Sequence, residues 1–310
     1  MAQNRIDYYF KDIERCSMCG DSAHGHSVIG KRLNRSQGLF PRRKKGVTTT
    51  IVKCSGCGLI YANPLPVPLN IQDHYGIPPE EYWREIHFEQ NDDYFSDTIR
   101  KFRSMYNNQH NDTLKALDIG AGFGATMAVL EKAGFDVYGF EPSEPFYERA
   151  VTKLGISKEK IRLGAMEDMD YPEGMFDFIS YGAVLEHIYD PGESICKAMK
   201  WLKPGGLIQI EVPSSKWLVH KIFNLYYRLS LTDYCANLSP MHEPFHLYEF
   251  HINSFQNHAR LNGYEIVHSE YYVCETFMPR FTDFILIPLM KATGTGMQLS
   301  VWLKKTENRN

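Results

Sequence analysis

No apolar run in the 310-residue chain is long enough to cross a bilayer, and its start, MAQNRIDYYFKDIERC, lacks the apolar core of a signal peptide. The longest late run, FILIPLM at 284–290, is far too short. A cytoplasmic protein without membrane insertion is expected. Internal repeats and low-complexity tracts are also missing. Net charge is only −3, which gives no global pull toward nucleic acid. One sign is absent locally. Between Ser22 and Gln72 there is no Asp or Glu, while Lys31, Arg32, Arg35, Arg42, Arg43, Lys44, Lys45 and Lys53 are basic. These charges read either as a solvated hairpin tip or as a clamp for a phosphate-bearing ligand or RNA.

What is present is ordinary globular material. Hydrophobic residues at 43% and charged residues at 23% argue against long disorder, and the length suits two domains. Four of the seven cysteines stand in two CxxC pairs, a pattern of metal chemistry in a reducing compartment. Cys16 and Cys19 in CSMCG, with Cys54 and Cys57 in CSGCG, can offer four thiolates to one structural Zn²⁺ per chain. Free or redox-active thiols are the other reading. His24 and His26 could replace a ligand, though two complete pairs make that unnecessary. Cys196, Cys235 and Cys274 lack partner spacing and are expected as small buried residues.

VTTTIVKC is β-branched and predicts a strand entering the second knuckle. NPLPVPLN at 63–70 cannot be a helix and reads as a stiff linker closing a ribbon domain at 1–70. A linker and lid helix follow at 71–113, with Ile99, Phe102, Met105 and Tyr106 on one helical face. The remaining domain, 114–305, opens on KALDIGAGFGATMAVLEKAGFDVYGFEP at 115–142, a strand, glycine turn, helix, strand and lone carboxylate. Gly120, Gly122 and Gly124 let the backbone approach a ligand, and Glu141 can accept hydrogen bonds from both ribose hydroxyls of a nucleoside. GAGFGA also satisfies the dinucleotide fingerprint, so NAD and S-adenosylmethionine (SAM) compete. Asp118 favours SAM, because a carboxylate suits an ammonium group and would repel a pyrophosphate.

Residues 164–192, GAMEDMDYPEGMFDFISYGAVLEHIYDPG, and 202–213, LKPGGLIQIEVP, complete a set of blocks. In order and spacing the stretch 115–213 resembles a class I SAM-dependent methyltransferase. The resemblance implies an α/β fold with a doubly wound, Rossmann-like, seven-stranded sheet beside the small N-terminal zinc ribbon. It further implies that Asp118, Gly120 and Gly122 line the methionine moiety, Glu141 the ribose, and Ala165, Met166 and Glu167 the adenine, with Ala121 and Pro142 also at the cofactor. Tyr181, Glu186 and His187 would sit beside the methyl donor. Where the family often has an acidic residue after the glycine of its adenine segment, this chain has Ala165. Asp190, Pro191 and Glu193 independently predict a capped helix whose apolar stripe includes Ile195, Met199 and Leu202, ended by Pro204, Gly205 and Gly206.

An insertion at 214–251 carries KWLVHKIFNLYYRL, amphipathic and aromatic, expected as core or lid, and then MHEPFHLYEFH. His246 is the first candidate for a base that deprotonates the acceptor, since HLYEF resembles the family's common histidine before the sixth strand. His242, Glu243, His187 and Tyr181 are its rivals. YEIVHSEYYV and MQLSVWLKK predict a reversed pair at the sheet edge. The ribbon, "CGLIYANPLP" and the catalytic domain together resemble bacterial enzymes that methylate sugars or small metabolites. Similar nucleotide-sugar C-methyltransferases continue into a further C-terminal domain, so ending after one catalytic domain favours O-methylation of a small, phosphate-bearing molecule. An RNA methyltransferase and a non-enzymatic docking protein are the alternatives.

Overall fold

The computed structural model describes residues 7–32, 47–72, 95–106, 112–238, 246–274 and 276–306. The basic loop residues 33–46, most of the segment before the expected lid helix, and His242 and Glu243 lie outside them.

The N-terminal part supplies β1 (Tyr8–Lys11), β2 (Ser27–Arg32), β3 (Thr50–Lys53), β4 (Ile60–Ala62) and β5 (Leu65–Pro68). The β-branched run forms β3 as expected, between antiparallel β2 and β4. The proline-rich run is not a free linker. It becomes β5, buried throughout and paired antiparallel with β1. A two-stranded ladder tolerates Pro because only one edge of the strand must hydrogen-bond.

Helix α1 (Ser96–Met105) buries Ile99 and Phe102, and the Phe102 ring lies 4.9 Å from Phe178 and 5.6 Å from Phe135. Tyr106, just beyond it, donates to Asp177 at 2.5 Å. The helix expected to act as a lid therefore covers the sheet toward the amino-terminal ends of its strands, away from the glycine turn.

The central sheet is built from β6 (Lys115–Ile119), α2 (Ala125–Lys132), β7 (Asp136–Glu141), α3 (Glu144–Lys153), β8 (Ile161–Leu163), β9 (Phe176–Gly182), α4 (Pro191–Trp201) and β10 (Leu202–Pro213). After it come α5 (Leu218–Leu229), β11 (Tyr234–Cys235), β12 (Tyr248–Glu249), α6 (Ile252–Asn262), β13 (Tyr264–Tyr272), α7 (Asp283–Thr293) and β14 (Gln298–Lys305). Seven strands run in the order β13-β14-β10-β9-β6-β7-β8. β14 alone runs antiparallel to the other six. The continuous apolar character of β6 and β9 is what a strand covered on both faces requires. Strand order reverses between β6 and β9, which opens a crevice beyond their carboxyl ends.

Asp190 accepts from the Glu193 amide at 3.0 Å and caps α4, with Pro191 in the first turn. The helix ends at Trp201, so Leu202 through Gly206 begin β10 instead of terminating the helix, and the pairing with β9 shifts register there.

A second sheet, ordered β11-β2-β3-β4-β12, mixes the ribbon with the insertion. Its three middle strands come from the cysteine-bearing region and its two outer ones from residues 234–249. Met18, Ile51 and Tyr61 share one apolar cluster with Leu117, Tyr181 and Phe250 of the central unit. Among the remaining cysteines Cys235 is buried, Cys196 is half-buried and Cys274 is exposed, contrary to the expectation of three buried thiols.

Candidate functional site

Glu141 ends β7 at the carboxyl edge of the sheet, and two amides hold its carboxylate. Gly122 N–H donates to Oε2 at 2.7 Å and Ser143 N–H to Oε1 at 2.9 Å. Asp118, one strand over, accepts from the Ser180 hydroxyl at 2.6 Å. Burial pushes both carboxyls up to about 7, the amides of Ser143 and Gly122 partly offsetting it at Glu141. The glycine turn between them is tight. At Gly120, with φ +67°, a Cβ would lie 2.5 Å from Val184, so the loop after β9 packs directly on the turn. Gly122, at φ +55°, turns its amide toward Glu141.

The adenine-side segment lies beside this cradle, because the Gly164 amide donates to the Glu141 carbonyl at 3.0 Å. Ala165 and Met166 are buried and Glu167 is exposed. Lys197 pins their backbone by donating to the Met166 and Glu167 carbonyls at 3.0 and 3.1 Å. Pro142 is tied to Gln72, whose side-chain amide donates to its carbonyl at 2.7 Å. Two ionisable carboxylates beside a glycine turn, with small residues next to them, suit the ammonium, ribose and adenine of SAM.

Across the crevice, the turn Leu185–His187 meets the end of the insertion. Leu247 N–H donates to the Glu186 carbonyl at 2.8 Å. His246 Nε2 then lies 3.9 Å from Glu186 Oε1, and its ring meets that of His187 edge-on with centroids 4.9 Å apart. Glu186 is buried, its carboxyl is pushed up to about 8 by that burial, and Oε2 has no hydrogen-bond partner among the described residues. Ligand atoms of Glu186, His187 and His246 fall within 4.8 Å of one another, a spacing that would also hold a cation. Tyr181 does not join them. Fully buried, its hydroxyl lies 3.0 Å from the Ser194 hydroxyl in α4, and burial raises it above the usual phenol range.

Two residues that sequence reading did not single out fix this side of the crevice. Arg32, grouped above with the exposed cations, is fully buried, and its Nη2 donates to the carbonyls of Leu238 and His246, each at 2.5 Å. Burial lowers the guanidinium to about 9. Glu249 accepts from the Leu238 amide and the Asn237 side chain, both at 2.6 Å, and lies 3.2 Å from His220 Nδ1. Leu238 and His246 are thereby held in place.

The four CxxC sulfurs converge. Cys16 Sγ is 3.6 Å from Cys57 Sγ and Cys19 Sγ is 3.5 Å from Cys54 Sγ, with all four within 4.8 Å. Sulfurs about 2.3 Å from a tetrahedral Zn²⁺ stand roughly 3.8 Å apart, so the geometry fits that ion. Neighbouring Cys54 and Cys57 thiols, together with burial, hold Cys16 well above the ordinary thiol range. His26 Nδ1 lies 2.7 Å from the Tyr61 hydroxyl, which occupies one of its ring nitrogens.

Sheet order and crevice define a Rossmann-like α/β unit. Residues 117–210 match the family model described as a methyltransferase domain. The chain is 32% identical over 108 residues to a ubiquinone biosynthesis O-methyltransferase of Bradyrhizobium diazoefficiens, covering 34% of this chain and 42% of that one. It is 31% identical over 107 residues to an uncharacterised methyltransferase of Schizosaccharomyces pombe, covering 31% and 38%. This chain thus spans under half the length of the curated relatives it matches. A crystal structure of a SAM-dependent methyltransferase, possible histamine N-methyltransferase, from Thermotoga maritima superposes with TM-score 0.50 at 16% identity, over 76% of this chain and all of that one, and shares the fold. The stretch from β6 to β10, which carries the glycine turn and Glu141, is thus similar to a methyltransferase domain.

Proposed function

We propose that the chain transfers a methyl group from SAM to a hydroxyl of a small molecule, with His246 as the base. The observation that carries this reading is the junction at Leu247 and Glu186, which sets His246 against the turn that follows Val184, the residue packed on Gly120. SAM supplies an electrophilic methyl group. The protein's part is to hold it, exclude water, align the acceptor oxygen and take its proton. Glu186 would orient His246, and His187 would shape the wall behind it.

Oxygen as the acceptor atom draws support from relatives that are named O-methyltransferases. A sugar, or a surface-polysaccharide or natural-product precursor, is favoured by the likeness of ribbon and catalytic domain to bacterial sugar and small-metabolite methyltransferases. The four cysteines are assigned to one structural Zn²⁺ per chain, which would lock the ribbon strands that carry Arg32. Incubating the chain with methyl-labelled SAM and a fractionated lysate, then identifying the labelled product, tests the reading. A labelled small molecule that disappears with His246→Ala is expected. Label found in RNA, or no transfer by protein that binds S-adenosylhomocysteine normally, would overturn it.

A further inference from the structure

Helix α5 is amphipathic in reverse. An exposed helix ordinarily buries its apolar stripe. Here the polar side faces inward: Asn224 donates to Asn237 Oδ1 and accepts from the Ala236 amide, each at 2.7 Å. The stripe Ile222, Leu225, Tyr226 and Leu229, spaced i, i+3, i+4, i+7, faces solvent instead, with exposure climbing from 38% at Ile222 to 74% at Leu229. Leu231 beyond it is 94% exposed. Helix α7 repeats the arrangement. Met290 is its only buried residue, while Phe284, Ile285 and Leu289, with Phe281 just ahead of the helix, form an exposed stripe. Single surface leucines need no explanation, but two outward helical stripes do.

Both helices stand at the same end of the molecule. Helix α5 follows the carboxyl end of β10, and α7 joins the carboxyl end of β13 to the start of β14. Pro213 and Tyr272 are both in register with Gln298. This is the edge that carries the glycine turn and Glu141. Trp217 links the two helices, packing with Val219, Met290 and Leu286 and meeting Phe277 at 6.2 Å between ring centroids.

The charges around the stripes have one prevailing sign. Between Glu211 and Asp233 the sequence has no acid, whereas Lys216, Lys221 and Arg228 are basic. Asp233 itself pairs with Lys31 at 2.6 Å. Arg280 and Lys291 accompany α7, whose one acid, Asp283, accepts from the Thr276 hydroxyl. Lys221 is lowered by partial burial and by repulsion from Lys216 and Lys53, so these cations crowd one another. A second copy docked on this face by two-fold symmetry would set the same cations against themselves, while an anionic headgroup layer would satisfy both cations and apolar stripes.

We propose that α5 and α7 form a docking surface for an anionic lipid bilayer, lying in its interface and bringing the carboxyl edge of the sheet to the membrane. The mode is interfacial: among the described residues no helix is long and apolar enough to cross a membrane. The inference is independent of which acceptor is methylated.

Co-sedimentation of the full chain with phosphatidylcholine vesicles, with and without phosphatidylglycerol, tests it. Binding is expected only with phosphatidylglycerol and should weaken as salt rises. The pairs Leu225→Glu with Leu229→Glu, and Phe281→Glu with Phe284→Glu, should each lower partitioning by about tenfold or more. Unchanged binding of S-adenosylhomocysteine would show that these variants are folded. No association with anionic vesicles, association indifferent to both pairs, or a solution dimer that both pairs dissociate would overturn the proposal.

Discussion

In the cofactor cradle the contacts that hold the two carboxylates are made within the central sheet and its loops: Gly122 and Ser143 to Glu141, and Ser180 to Asp118. On the acceptor side the contacts join remote parts of the chain, as Arg32 does across 206 and 214 positions to Leu238 and His246. The cradle rests on a sheet that needs only its own blocks. The acceptor side rests on a sheet that exists only when ribbon and insertion are both in place. Damage to the ribbon should therefore cost transfer far more than cofactor binding.

Replacing Cys16 with Ala should produce the largest separation. Zinc content is expected to fall from one per chain to near zero, with turnover lost and binding of S-adenosylhomocysteine by calorimetry weakened far less. Equal loss of both would dissolve the contrast. His246→Ala comes next, with turnover down by about 10²-fold or more, the scale of general-base catalysis, and cofactor affinity nearly intact. Unaffected turnover would move the base elsewhere.

Arg32→Met sharpens the contrast without touching the metal. Two buried carbonyls lose their donor, at a cost of about 2 kcal/mol or more in unfolding free energy. Turnover should fall while cofactor affinity and zinc content hold, and Arg32→Lys should recover part of the loss. A fall in stability alone would make Arg32 a purely structural residue. Glu141→Ala is the reciprocal probe. It should weaken S-adenosylhomocysteine binding by at least ~1 kcal/mol, measured by calorimetry, and leave the ribbon zinc unchanged.

The same contrast explains what could be read from the sequence. Asp118, the glycines and Glu141 are legible because one short stretch contains both the turn and the carboxylates it positions. The paired CxxC knuckles are legible because each pair occupies one tight turn, and the structure brings the four sulfurs together. Arg32 was not, since its partners are backbone carbonyls, which leave no mark in side-chain patterns, and its neighbours are exposed-looking cations. The stripe on α5 was legible as amphipathic, but periodicity gives the face and not the direction in which it points. Proline content likewise said that residues 65–68 could not be a helix, and could not say that β1 would pair with them.

The smallest effect is a pH dependence confined to the cradle. Burial raises Asp118 and Glu141 to about 7, so the free protein binds their protons more tightly than the unfolded chain does. As pH climbs from about 4 toward 7 both groups oppose folding by an increasing amount, because the native state retains protons that the unfolded state has released. Ligand binding has the opposite preference. The ammonium of S-adenosylhomocysteine and its ribose hydroxyls favour ionised carboxylates, so binding expels protons and affinity should rise with pH up to about 7 and level off above it. Calorimetry in two buffers of different ionisation enthalpy would register that proton release near pH 6. Glu141→Gln should remove part of it, and Arg32→Met, on the far side of the crevice, should leave it unchanged. A pH-independent affinity for the unsubstituted chain between about 5.5 and 8 would mean that neither carboxylate meets the cofactor as a proton-binding group.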